Sequence, residues 1–157
     1  MSQLNDSYYQ YFPWSVRGSY AQDYCKNDGG YLVSINSLEE REFVDNFFDD
    51  ATTFSWVWIG LSDHNEQNGI RISGAENDWW VWEDGSNLTH DVTSWAVAQP
   101  NSNWATAIYV ALFRPFKKWY NRSGSNPYRY PFICEYIDAC AQNMTSCQNG
   151  GVCVSEQ

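Results

Sequence analysis

The sequence predicts an α+β domain with two helices ahead of most of its strands, and three observations carry that prediction. Two segments near the start space their apolar side chains at the helical period. From Phe54 onward the pattern changes to short β-branched and aromatic runs. The 157 residues suffice for one sizeable core, while two full domains would be a tight fit.

Taken in order, Ser15 precedes a stretch to Asn27 in which Val16, Tyr20 and Tyr24 recur at helical spacing. Gly29-Gly30 supply a stop, so a helix carrying Cys25 is expected. A second helix starts at Ser37, which forms a capping box with Glu40. Acids crowd its first turn, and Leu38, Phe43, Val44, Phe47 and Phe48 outline an apolar face that ends near Asp49 or Asp50. Phe54 to Leu61, Trp79 to Trp82 and Ala107 to Phe113 then read as strands. Phe132 to Tyr136 reads as a last strand, entered through a turn at Tyr128 to Pro131. Between Leu61 and Ala107 lies a stretch rich in Gly, Asn, Ser and Asp, too long for an ordinary connection unless it is a structured, functional loop.

Composition narrows the class. Hydrophobic residues are 43% and charged residues 18%, with nine tryptophans and eleven tyrosines, so the chain is globular rather than disordered, with an aromatic core. No run approaches the roughly 18 apolar residues of a membrane helix, so no membrane insertion is expected from this stretch. Met1 to Asp6 lacks the basic-then-apolar order of a signal peptide, so a secreted form would have lost its leader. The five cysteines, at 25, 134, 140, 147 and 153, have no histidines nearby and read as disulfide material. Sequons stand at Asn5, Asn87, Asn121 and Asn143, and with the cysteines they indicate an extracellular location.

The net charge of −10 is unevenly distributed. Residues 92 to 134 hold no acid and five bases: Arg114, Lys117, Lys118, Arg122 and Arg129. An acidic domain therefore carries one basic segment. An extracellular compartment and this total disfavour nucleic acid as a partner.

Set together, the pieces resemble a C-type lectin domain over residues 8 to 136. Tyr24-Cys25-Lys26 and the stretch Gly29 to Ile35 are similar to that family's first-helix cysteine and following strand, and Ser37 to Phe43 to its second helix. Trp58-Ile59-Gly60-Leu61-Ser62-Asp63 is close to its most recognisable core motif. Trp80 to Ser86 with Trp95 resembles its tryptophan-Asp-Gly hairpin, and Gln99-Pro100-Asn101 its loop triplet. Trp119-Tyr120-Asn121 stands at its usual Trp-Asn-Asp, and Phe132-Ile133-Cys134-Glu135 closes the domain. The resemblance implies a C-type lectin-like fold with two helices, small antiparallel sheets and a long structured loop region. It also implies a bridge from Cys25 to Cys134, and no cysteine is left between them for the family's second, shorter bridge. Residues 138 to 157, with Cys140, Cys147, Asn149-Gly150-Gly151 and Cys153, resemble the first half of an EGF-like module. That likeness implies a Cys140–Cys153 pair and leaves Cys147 without a partner.

What the resemblance implies about function is recognition of a glycan or of an extracellular protein. In sugar-binding members a calcium ion is shared by the loop triplet, a following acid and the Trp-Asn-Asp pair. Calcium takes six to eight oxygens and gains most of its affinity from carboxylates. Here Gln99, Asn101 and Asn121 are all neutral and the following acid is missing, so calcium dependence is expected to be weakened or absent. Gln99, Pro100, Asn101, Trp119, Tyr120 and Asn121 form the candidate carbohydrate site, and Gln99, Asn101 and Asn121 the candidate calcium ligands. An inherited loop whose proline only sets the turn is the competing reading, and Asp63, Glu66, Asp84 and Asp91 are the acids that a metal site would have to borrow.

Two further readings stay open. The Asn121-Arg122-Ser123 sequon lies where a ligand should bind, and a glycan there would cover the site. The basic segment with Trp104, Phe116, Trp119 and Tyr120 suits an acidic protein or a sulfated polymer, while a solvated face is its plain alternative. Catalysis is not expected. His64 and His90 are the only histidines, both in loop segments, and no nucleophile–base pair is evident.

Overall fold

The computed structural model describes residues 1–63, 66–67, 70–71, 80–101, 108–123 and 128–138. The elements in chain order are β1 (Ser2–Leu4), β2 (Ser7–Val16), α1 (Gly18–Asn27), β3 (Tyr31–Leu32), α2 (Leu38–Ala51), β4 (Trp56–Asp63), β5 (Glu66–Gln67), β6 (Ile70–Arg71), β7 (Trp80–Trp82), β8 (Ile108–Phe113), β9 (Lys118–Ser123) and β10 (Tyr130–Ile137). Short 3₁₀ turns occupy His90–Val92 and Arg114–Phe116.

Helix α2 forms where the capping box places it. Ser37 Oγ accepts the Glu40 N–H at 3.0 Å, and the Glu40 carboxylate accepts the Asn36 N–H at 2.7 Å, one residue ahead of the Ser37 N–H that a capping box uses. Val44 and Phe48 are fully buried beneath it. Helix α1 begins later than its periodicity suggests. Val16 ends strand β2 rather than opening the helix, and Arg17 is the N-cap with no side-chain cap. The cause is long-range: β2 pairs antiparallel with β10 from Ser7↔Ile137 to Val16↔Tyr130, and that ladder outweighs local helical spacing.

The strands join into one mixed sheet rather than several small antiparallel ones. Its order is β1-β2-β10-β4-β8-β9, with β3 on β10 and β7 on β4; β5 and β6 form a separate pair. The β10–β4 pairing is parallel, at Phe132↔Trp58. Against one face lies a core of Val33, Val44, Phe48, Ile59, Val110 and Trp119, closed by α2. Against the other lie Phe12, Ala21, Cys25, Trp58, Phe132 and Cys134, closed by α1.

Two close approaches position the loop region. A Cβ on Gly60 would collide with the Leu32 carbonyl, so glycine lets β3 and β4 touch; the Gly60 N–H donates to Val33 O at 2.7 Å and its carbonyl accepts from Glu83 at 2.9 Å. The Cys25–Cys134 bridge, with Cα atoms 5.4 Å apart, ties α1 to β10 across 109 residues. Residues 139–157, including Cys140, Asn143, Cys147 and Cys153, lie outside the described residues, and an EGF-like module is not established by the fold.

Candidate functional site

The loop that carries Gln99, Pro100 and Asn101 is fastened along β9 step by step. Ser94 Oγ donates to Lys117 O at 2.8 Å, the Trp119 N–H donates to Ser94 O at 2.8 Å, and the Ala96 N–H donates to Trp119 O at 3.1 Å. Ala98 takes a left-handed backbone (φ 59°) and the Gln99–Pro100 peptide is cis. The chain then turns back onto Asn121.

There the contacts are reciprocal. The Asn101 N–H donates to Asn121 Oδ1 at 3.1 Å and Asn121 Nδ2 donates to Asn101 O at 2.7 Å, while the Asn121 N–H donates to Gln99 Oε1 at 3.0 Å. Asn121 has no exposed surface. Its carboxamide, expected from the sequence to face a ligand, is engaged with the backbone of its own loop.

Strand alternation separates the remaining predicted residues. Trp119 points the same way as Asn121 and is fully buried, its ring 5.6 Å from Trp82 and 5.8 Å from Trp95. Tyr120 points to the opposite face of the sheet, where it meets Trp56 at 5.1 Å. The structure thus brings Gln99, Asn101 and Asn121 together, places Trp119 beneath them, and puts Tyr120 elsewhere.

Among the described residues, carboxylates do not complete a cation shell. Asp84 accepts from Asn36 Nδ2 at 2.7 Å and from the Ser86 N–H at 2.8 Å, capping the turn after β7. Among the described residues no group of three or more His, Cys, Asp or Glu could hold a metal ion. Gln99 Oε1 and Asn121 Oδ1 each accept a peptide N–H, while the buried Asn101 Oδ1 has no hydrogen-bond partner among the described residues.

The basic segment is largely committed to the fold. Lys117 Nζ lies 3.3 Å from Asp49 Oδ2, and Arg114 lies 4.0 Å from the same carboxylate while donating to Phe54 O at 2.9 Å and Thr53 O at 3.1 Å. The acid missing from the segment in sequence is supplied by α2. Lys118 and Arg129 are exposed. Arg122 lies over three rings, its guanidinium carbon 4.6 Å from the Trp56 centroid, 5.0 Å from Tyr120 and 5.3 Å from Tyr128. Trp56 and Tyr128 were not legible as neighbours of Arg122, because they arrive from β4 and from the lead-in to β10.

One buried acid stands apart from the loop. Glu135, 4% exposed, accepts Ser7 Oγ at 2.8 Å and the Ser34 N–H at 3.1 Å. Burial, then the nearby Glu40 carboxylate, pushes its pKa up to about 7. Burial likewise raises Asp45 to about 6, although Lys117 and Arg41 oppose the shift.

A disulfide-tied α+β domain that fastens long loops onto one strand is a recognition scaffold of the lectin type. The family model described as Lectin C-type domain matches residues 17–136. The chain belongs to the C-type lectin domain family. It is 29% identical over 136 residues to C-type lectin 1 from Hydrophis hardwickii, covering 84% of this chain and 74% of that protein. It is also 29% identical over 138 residues to E-selectin from Equus caballus, covering 85% of this chain but only 20% of that longer protein. The solved structure of human lithostathine shares the fold with a TM-score of 0.68 at 25% identity, covering 87% of this chain and 95% of that one.

Proposed function

We propose that this domain is an extracellular recognition module that binds a glycan without a calcium ion at the Gln99–Asn101–Asn121 loop. One observation carries the calcium-free reading: the buried Asn121 carboxamide spends both its oxygen and its nitrogen on Asn101. To ligate calcium from that oxygen, the loop would have to weaken its own lock and meet a divalent charge without a carboxylate from the described residues. The lectin family and the bridged cysteines support the glycan and extracellular parts of the reading.

The same hydrogen bonds bear on glycosylation. Asn121 Nδ2, the atom a glycan would occupy, is buried and donates to Asn101 O. Asn5 and Asn87 are exposed, and we assign glycans to them and not to Asn121.

The test is a glycan array run with calcium and then with EGTA, beside calcium titration calorimetry. Signal unchanged by EGTA, with no calorimetric calcium binding at the loop, is the expected result. Signal abolished by EGTA and restored by calcium, with Asn101→Ala losing both, would overturn it. Binding of a protein or acidic polymer through the basic segment as a five-charge stripe is less well supported, because Asp49 already pairs with Lys117 and Arg114.

A further inference from the structure

Strand β9 presents two chemically different faces. Trp119, Asn121 and Ser123 are buried, while Tyr120 and Arg122 alternate with them and stand on the other side of the sheet. On that side Ala21 and Cys25 of α1 pack with Trp58, Ala111 and Cys134. What stands there is a partly exposed aromatic cluster. Trp56 packs on Tyr120 at 5.1 Å and lies nearly parallel to Tyr130, 16° apart at 5.5 Å, and Tyr128 adjoins Tyr130 at 6.2 Å.

Arg122 lies at the centre of this cluster. Its guanidinium contacts the rings of Trp56, Tyr120 and Tyr128 and donates to Asn121 O at 3.3 Å. Among the described residues it forms no ion pair, and residues 92–134 contain no acid at all. A fixed cation without a counter-charge among the described residues, set among flat half-exposed rings, calls for a ligand with an apolar ring face and an anionic substituent. A sulfated sugar has both. Its C–H face can lie on an indole or phenol ring, and its sulfate oxygens can take the guanidinium N–H donors.

We propose that the sheet face formed by Trp56, Tyr120, Arg122 and Tyr128 binds a sulfated saccharide, its ring stacked on the aromatic cluster and its sulfate on the Arg122 guanidinium. The proposal rests on the glycan reading above, but moves the contact from the calcium loop to the opposite face of β9. Arg122 binds through its plane as well as its charge, so lysine is not an equivalent replacement.

The probe is a heparin-derived hexasaccharide, titrated in EGTA against the whole chain, with the desulfated hexasaccharide and a poly-glutamate peptide as comparisons. Expected is sulfate-dependent binding that weakens with salt, about tenfold loss on Arg122→Gln, and a several-fold loss on Arg122→Lys or Tyr128→Ala. Lys117→Gln, which alters a lysine paired with Asp49 away from the cluster, should bind as the parent does. Thermal melting of each variant separates loss of fold from loss of contact, and Tyr128→Ala, at the cluster's edge, serves if Arg122→Gln melts early. Equal affinity for the desulfated hexasaccharide, unchanged binding in both Arg122→Gln and Tyr128→Ala, or an Arg122-dependent preference for poly-glutamate would each overturn the proposal. Array binding to neutral glycans that survives both EGTA and Arg122→Gln would also overturn it, while leaving calcium-free recognition standing.

Discussion

Asn121 and Asn101 form a closed two-point pair in which one side-chain amide satisfies both the N–H and the C=O of a single backbone residue, at 3.1 and 2.7 Å. An amide answering a peptide in this way behaves like one rung of a β-ladder set between strand and loop. It makes Asn121 part of the scaffold.

Removing that rung strands buried polar groups. Asn121→Ala should destabilise the domain by about 2–4 kcal/mol, since the part-buried Asn101 N–H and C=O lose their partners on a fully buried side chain. Urea unfolding measures this, and a change within about 0.5 kcal/mol would show the pair to be incidental.

Glycan occupancy follows from the same burial. Glycopeptide mass spectrometry of secreted, folded protein should find Asn5 and Asn87 modified and Asn121 bare. A monodisperse, native fraction carrying sugar on Asn121 is incompatible with the buried Nδ2 atom.

Stability should depend on pH through Glu135. Its pKa is raised from 4.5 to about 7 in the fold, so the folded domain holds the proton more tightly than the unfolded chain. The contribution is complete below the unfolded value and declines as pH rises towards about 7, by at most about 3 kcal/mol, in the same direction as the smaller effect of Asp45. Glu135→Gln should flatten most of that decline in melting curves taken from pH 4 to pH 8. A variant with the parent's full slope would exclude Glu135 as its source.

The Cys25–Cys134 bridge closes a loop across 109 residues, and the chain-entropy model gives it roughly 4–5 kcal/mol. The double replacement Cys25→Ala with Cys134→Ala should lose an amount of that order. Equal denaturation midpoints for bridged and unbridged forms would deny the bridge that role.

Local signals were the legible ones. The Ser37–Glu40 box located α2 because capping is settled within one turn, and the Phe54 to Leu61 run located the central strand because it is dense in β-branched and aromatic residues. Strand β9 escaped notice because its buried side holds Asn121 and Ser123 beside Trp119 while Lys118 and Arg122 face outward, so polar residues fall on both faces and no alternation shows. The start of α1 was misplaced because β2 draws Val16 into the sheet through β10, over 100 residues away in the chain. For the site, the neutral character of Gln99, Asn101 and Asn121 could be read directly. That Asn121 turns inward, and that Asp49 neutralises Arg114 and Lys117, depends on tertiary neighbours that no local pattern names.

The antiparallel pairing of β2 with β10 brings Ser7 opposite Ile137, with the Asp138 N–H donating to Asp6 O at 2.6 Å. Tension applied through both strands would peel them apart like a zipper rather than slide them past each other. On the β10 side that peeling runs from Ile137 only as far as Cys134. There the covalent link to Cys25 takes the load, so the stretch bearing both the calcium-type loop and the aromatic ledge would stay slack while the strands outside it are pulled.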